Sequence, residues 1–127
     1  MDFSGWAPRV LSILRIVVAL LFIEHGTVKL FGFPFAGPAS LSTQLYAAAL
    51  IEVVGGVLVA LGLFTRIAAF VMSGEMAFAY FLAHAPRGFF PIAPNGNGGE
   101  LAIVYCFLFL YFAVAGPGPW SIDASRR

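Results

Sequence analysis

HAPRGFFPIAPNGNGGELAIVYCFLFLYFAVAGPGPWSID, residues 84–123, is the stretch whose reading decides the fold. It opens on His84 at the end of an apolar run and crosses a loop punctuated by Pro86, Gly88, Pro91 and Pro94. An Asn-Gly-rich turn, NGNGGE, then starts a new apolar run, which stops at Gly116-Pro117-Gly118-Pro119. Glycine and proline in such density break helices, so the run between the breakers reads as one helix. His84 and Glu100, one on each side of the loop, are its only ionisable groups close to the apolar part. Three more carboxylates and one more histidine lie inside or beside the other apolar runs, which raises the question of whether these groups meet.

The composition names the solvent. Of 127 residues, 61% are hydrophobic and 10% charged, where an average soluble domain has about a quarter charged. One domain of this size cannot hide that much apolar surface from water, so the environment it fits is lipid. The net charge is +1 and the seven cationic residues form no cluster suited to phosphates, so nothing supports nucleic acid as a partner. Cys106 is the single cysteine. It can form no disulfide within the chain and no CxxC or thiolate metal site, and it reads as a small packing residue. No phosphate-binding GxxxxGK[ST] pattern occurs, and the fourteen phenylalanines read as packing and interface anchors.

Taken in order, the chain reads as a single membrane domain over residues 1–127, with spans at about 10–31, 44–64, 66–84 and 97–115. The fold class expected is all-α: an antiparallel bundle of four transmembrane helices. Trp6 suits the headgroup region, and Pro8 is tolerated in a first helical turn. The first run is too long for the core of a cleavable signal peptide and carries Glu24, His25 and Lys29. Residues 32–43 form a loop, after which Ser42 or Thr43 can cap the second helix. Thr65-Arg66 reads as a very short turn, which forces an antiparallel neighbour. Trp120 in the tail is a second interfacial anchor. The loops GFPFAGP and GFFPIAP look alike, but their flanking helices do not, and no internal repeat follows.

Four spans place both termini on one side, together with Arg9, Arg15, Arg66, Arg126 and Arg127; the other side holds Lys29 and Arg87. The positive-inside rule makes the termini side cytoplasmic. The expected location is the plasma (inner) membrane, with both longer loops facing outward.

At about 1.5 Å of rise per residue, Glu24, His25, Lys29, Glu52, His84 and Glu100 all fall in the outer half of the bundle. Ionisable residues in a span cost roughly 2.5–3.5 kcal/mol each on insertion scales and usually face the bundle interior or a cavity. Carboxylates brought close together must bind protons or find a histidine, Lys29 or a cation. His25 and Lys29, four apart, share a helix face. Gly55 and Gly56 make the Glu52 face one that another helix can approach closely. Plainer readings stand beside these. Asn97 and Glu100 fit a capping box, Lys29 fits snorkelling to the interface, and His84 fits a helix C-terminus. Glu75, nine residues before His84 and on nearly the opposite face of an unbroken helix, reads as an interhelical or subunit-contact group outside the outer site.

RIVVALLFIEHGTVKLFG, LIEVVGGVLVALGLFTRIAA and the 84–123 stretch together resemble the DoxX family of small four-helix membrane proteins. The resemblance runs from about Arg15 to Asp123 and is most specific in the His, GFFP, NGGE and GPGPWSID elements. It implies an association with membrane redox chemistry of the thiol or thiosulfate type, linked to quinone. Carried onto this chain, Glu24, His25, Glu52, His84 and Glu100 are the candidate catalytic positions. His25, His84 and Asn97 are the candidate cofactor-binding positions, with quinone as the cofactor considered first. Metal or haem ranks behind it, and no metal ligand is assigned: adjacent Glu24 and His25 project about 100° apart and make no ExxH motif. The partners expected are the lipid bilayer and either a second copy of the chain or a redox protein. The competing functions are a small-solute or proton-binding transport module, and a structural assembly subunit without its own catalysis.

Overall fold

The computed structural model describes residues 2–92 and 94–126. Arg127, counted above with the charges of the termini side, lies outside the described residues. Among them every regular element is helical: α1 (Ala7–Phe31), α2 (Thr43–Leu61), α3 (Thr65–Ala79), α4 (Glu100–Ala115) and the short α5 (Ile122–Ser125). A π turn, Tyr80–His84, and a 3-10 turn, Ala85–Arg87, extend α3 without a break. Two segments are long and apolar enough to cross a membrane by length and composition, Thr43–Leu61 and Thr65–Arg87; Glu100–Ala115 is a shorter apolar helix. Only 22% and 28% of the two spans' apolar windows are buried. A soluble core helix would be mostly covered, so these faces are left for an apolar surrounding.

The helix ends follow local chemistry. Ser42 caps α2 by accepting from the Leu45 N–H at 3.1 Å, the first of the two caps expected. Gly32 and Gly62, both left-handed, close α1 and α2 and return their N–H groups to carbonyls of the last turn. Glycine takes that conformation without steric cost. The tight turn between α2 and α3 is Gly62–Phe64, and Thr65 and Arg66, expected to make it, belong to α3 instead. The fourth helix starts at Glu100 rather than 97. The Asn97 side chain accepts from the Gly99 N–H at 2.8 Å, and Gly98 is left-handed at φ 76°, so no helix can begin before Gly99. Glu100 is therefore the first helical residue, and the capping box does not form.

In packing, α1 lies chiefly on α2 and α3 chiefly on α4, with α2 against α3. Phe22 of α1 closes the ring onto α4, 4.8 Å from Phe109 and 5.1 Å from Tyr105 between centroids, edge to face. Phe22, Val59, Met72, Phe109 and Phe112 form the buried centre. Cys106 packs partly buried against Ser73, whose hydroxyl donates to the Cys106 carbonyl at 2.7 Å.

At one end, called here the termini end, the tail folds back over the bundle. Buried Arg15 donates to the carbonyls of Pro117 and, at 2.8 Å, Trp120. The Trp120 N–H donates to Ser12 at 3.1 Å. Asp123 accepts from the Phe64 and Thr65 N–H groups, both at 2.9 Å, and so caps α3 from another segment. Arg66 donates to the Ala113 and Val114 carbonyls at the close of α4. The GPGPWSID tail thus ties α1, the α2–α3 turn and α4 together.

Candidate functional site

At the opposite, loop end lies a cavity of about 910 Å³. It is walled by α2 between Gln44 and Glu52, by α3 and its π turn between Val71 and His84, by the start of α4, and by His25 and Lys29 of α1. Most of the wall is apolar, and Val71, Phe78, Leu82 and Leu101 on it are exposed. The ionisable groups that line it are His25, Lys29, Glu52, Glu75 and His84.

Small residues bring the helices close enough to converge these groups. A methyl on Gly26 would sit 2.6 Å from Val53 Cγ2, 3.0 Å from the Ala49 carbonyl and 3.1 Å from Glu52 Cβ. Gly56 faces Ile23 of α1 and Gly55 faces Met72 of α3. The close approach expected of the Glu52 face therefore serves two neighbours at once.

Glu52 is 1% exposed, and Lys29 Nζ donates to both its oxygens at 2.8 Å. A carboxylate removed from water needs such a partner. Lys29 therefore turns inward to Glu52, and the expectation that it snorkels to the interface does not hold. Glu75 also departs from expectation. It lines the same cavity within electrostatic reach of Glu52 and Lys29, and its Oε1 is buried with no hydrogen-bond partner. The geometric reason is the π turn. An i→i+5 turn spends more residues per revolution than an α-helix, so the rotation from Glu75 to His84 falls short of the half turn an unbroken α-helix would give. Both side chains then reach one cavity.

The two histidines are held alike. His25 Nδ1 is 3.0 Å from the Leu21 carbonyl, one turn back in α1, and its ring meets Tyr105 edge-on at 5.5 Å. His84 Nδ1 is 3.2 Å from the Asn97 carbonyl, and its ring stacks with Tyr80 at 6.5 Å. Asn97, 1% exposed, stands behind the cavity and anchors the loop. Its amide donates to the Tyr80 hydroxyl at 3.1 Å and the Gly88 carbonyl at 3.0 Å, and its side-chain oxygen takes the Gly99 N–H. Glu24 and Glu100 are exposed and do not line the cavity.

Of the positions singled out from the sequence, the cavity thus gathers His25, Glu52 and His84, and adds Lys29 and Glu75. The four-residue spacing of His25 and Lys29 was the available signal for Lys29. Nothing in the sequence announced the π turn that brings in Glu75. Among the described residues, no three His, Cys, Asp or Glu side chains converge as metal ligands.

A model of the DoxX family matches residues 10–85, from the start of α1 to just past the π turn. The chain belongs to the DoxX family. The loop and α4, where the resemblance read from the sequence was most specific, lie beyond the matched segment. A protein of Haemophilus influenzae described as uncharacterized is 50% identical over 129 residues, covering 96% of this chain and 94% of its own. A protein of Mycobacterium tuberculosis described as an uncharacterized membrane protein is 31% identical over 133 residues, covering 91% of this chain and 80% of its own. No solved structure matches. The DoxX chain is accordingly a membrane protein, and its relatives bring no reaction with them.

Proposed function

We propose that this DoxX chain is a four-span protein of the inner membrane whose outward cavity takes a quinone head group, as a subunit of a membrane redox system. The feature that carries the reading is a single cavity joining exposed apolar side chains to a convergent set of Lys, Glu and His groups. A ligand with a polar ring and an apolar tail matches both halves, and pockets of this size suit molecules of that class.

Span lengths support the placement. At about 1.5 Å per residue α1 is roughly 37 Å long and α4 roughly 24 Å, against a hydrocarbon core of about 30 Å, so α4 spans together with its flanking turns. Arg9, Arg15, Arg66 and Arg126 belong to the termini end, which the positive-inside rule makes cytoplasmic, and the cavity then opens toward the outer leaflet. Reduction of a quinone takes two electrons and two protons. A partner protein supplies the electrons. His25 and His84 would hold the head group, Glu75 would supply or take up protons beside the Lys29–Glu52 pair, and exposed Glu24 and Glu100 would exchange them with the surroundings. Asn97 acts one step back, by holding the loop and His84.

The protein purified in mild detergent should carry extractable quinone, and His84→Ala and Glu52→Gln should each lose it while keeping their helical circular dichroism. Quinone retained in both folded variants would sink the reading. One observation favours a structural alternative: the Lys29–Glu52 bridge also ties α1 to α2. Under an assembly role Glu52→Gln would break a complex without changing any bound ligand.

A further inference from the structure

We infer that the cavity is built for the hydroxyl-bearing, reduced form of its ligand, a hydroquinone, in preference to the quinone. The inference rests on the quinone reading above and concerns which redox form the wall recognises.

It follows from which hydrogen-bonding groups remain uncommitted. A neutral imidazole has one N–H and one bare nitrogen. A carbonyl oxygen can only accept, so the Nδ1 contacts of His25 to Leu21 and of His84 to Asn97 make Nδ1 the N–H in both rings. Both residues line the cavity, and each ring keeps Nε2 as its bare nitrogen, which accepts. Glu52 is an acceptor whose two oxygens already draw Lys29. Glu75 adds a carboxyl that faces Glu52, toward which any proton it holds is drawn, and its Oε1 has no partner. Lys29 spends two of its three N–H groups on Glu52 and keeps one. Gln44 and Tyr105, also on the wall, can serve either form and do not discriminate.

A quinone sets two more acceptors against the two Nε2 acceptors and leaves those nitrogens unpaired. A hydroquinone brings two O–H donors and satisfies the Nε2 atoms. Leaving a desolvated polar group unpaired is what makes a site built for a hydroxyl reject the analogue without one. The backbone carbonyls that set both tautomers lie in the i−4 turn of α1 and in the Asn97 loop, so the preference is held by the fold.

Duroquinol and duroquinone share one methylated ring and differ only in redox state. Equilibrium dialysis of each against the detergent-purified protein, without oxygen and at a pH above the imidazole range, should show duroquinol bound about tenfold tighter or more. His25→Phe and His84→Phe should each narrow the gap by weakening duroquinol while leaving duroquinone nearly unchanged. Equal affinities, or tighter duroquinone, would overturn the inference and leave the quinone reading standing. Binding of neither probe would overturn both. The wild-type comparison decides by itself, so a variant that fails to fold does not shelter the inference, and His84→Asn offers a smaller change at the same position.

Discussion

Lys29 and Glu52 show how one pair of side chains sets the character of the cavity. Glu52 is buried, and its two oxygens are met by the same ammonium. Removing one partner of such a pair strands the other charge, which typically costs 3–5 kcal/mol, whereas replacing both together is often nearly neutral. Lys29→Met should therefore lower the thermal stability of the detergent-solubilised protein by about 3 kcal/mol, and Lys29→Met with Glu52→Gln should recover most of it. Additive losses in that double-mutant cycle would show that the pair does not act as a unit. At this scale the sequence was partly legible. Their place in apolar runs drew attention to Glu52, His25 and His84, which line the cavity, because lipid leaves ionisable residues few other places to go. It was illegible for Lys29, since a long flexible side chain near a helix end reaches either the interface or the interior, and only its neighbour across the seam decides.

At the scale of elements, the α1–α2 seam depends on Gly26. A methyl there meets Val53 Cγ2 at 2.6 Å and the Ala49 carbonyl at 3.0 Å. Val53 is β-branched and cannot swing clear, and the carbonyl is fixed in α2, so the helices must part. Gly26→Ala should cost about 1–3 kcal/mol, as overpacking usually does, and should weaken the proposed quinone binding by loosening the Lys29–Glu52 contact beside it. A variant with wild-type melting temperature would mean that the seam is more tolerant than its geometry implies. The helices themselves were readable from apolar runs and their Gly and Pro breakers, to within a few residues. The π turn was not, because YFLAH carries no residue that an α-helix would refuse. The late start of α4 was hidden as well: Asn97 caps nothing and instead binds Tyr80, Gly88 and Gly99 at once, which only the folded loop reveals.

For the whole molecule, the two ends differ in kind. The loop end is opened by the cavity, and the termini end is bound up by the tail. Asp123 is the tail's main hold on α3. Burial works against its charge, but the Thr65 and Phe64 N–H groups outweigh it and hold the carboxyl below its ordinary value of 3.8. A carboxyl held low stabilises the fold at pH values above its ordinary value, and that contribution drains away as pH falls through the lowered one. Asp123→Asn should then cost about 1 kcal/mol at neutral pH, in the range of lost helix caps. The difference from wild type should shrink as pH falls below 3.8 and on through the lowered value. A difference that stays constant from neutral to acid pH would mean that the carboxylate charge is not what holds the turn. The tail was read from the sequence only as a return to water with a tryptophan anchor. Its true part was hidden because its partners, Ser12, Arg15 and Gly62, lie in distant segments.

That distance has a consequence for how the chain is made. Arg15 finds one carbonyl on Ala60 of α2 and the other two on tail residues 102 and 105 positions later. During synthesis α1 therefore leaves the ribosome carrying a guanidinium whose tail acceptors have not yet been translated. Every long helix can be synthesised before the tail answers the group, and a chain that stops after α4 would hold all of them without that closure. The tail thus acts as a latch on the bundle, and copies that stop before it should present proteases with a charge only partly answered.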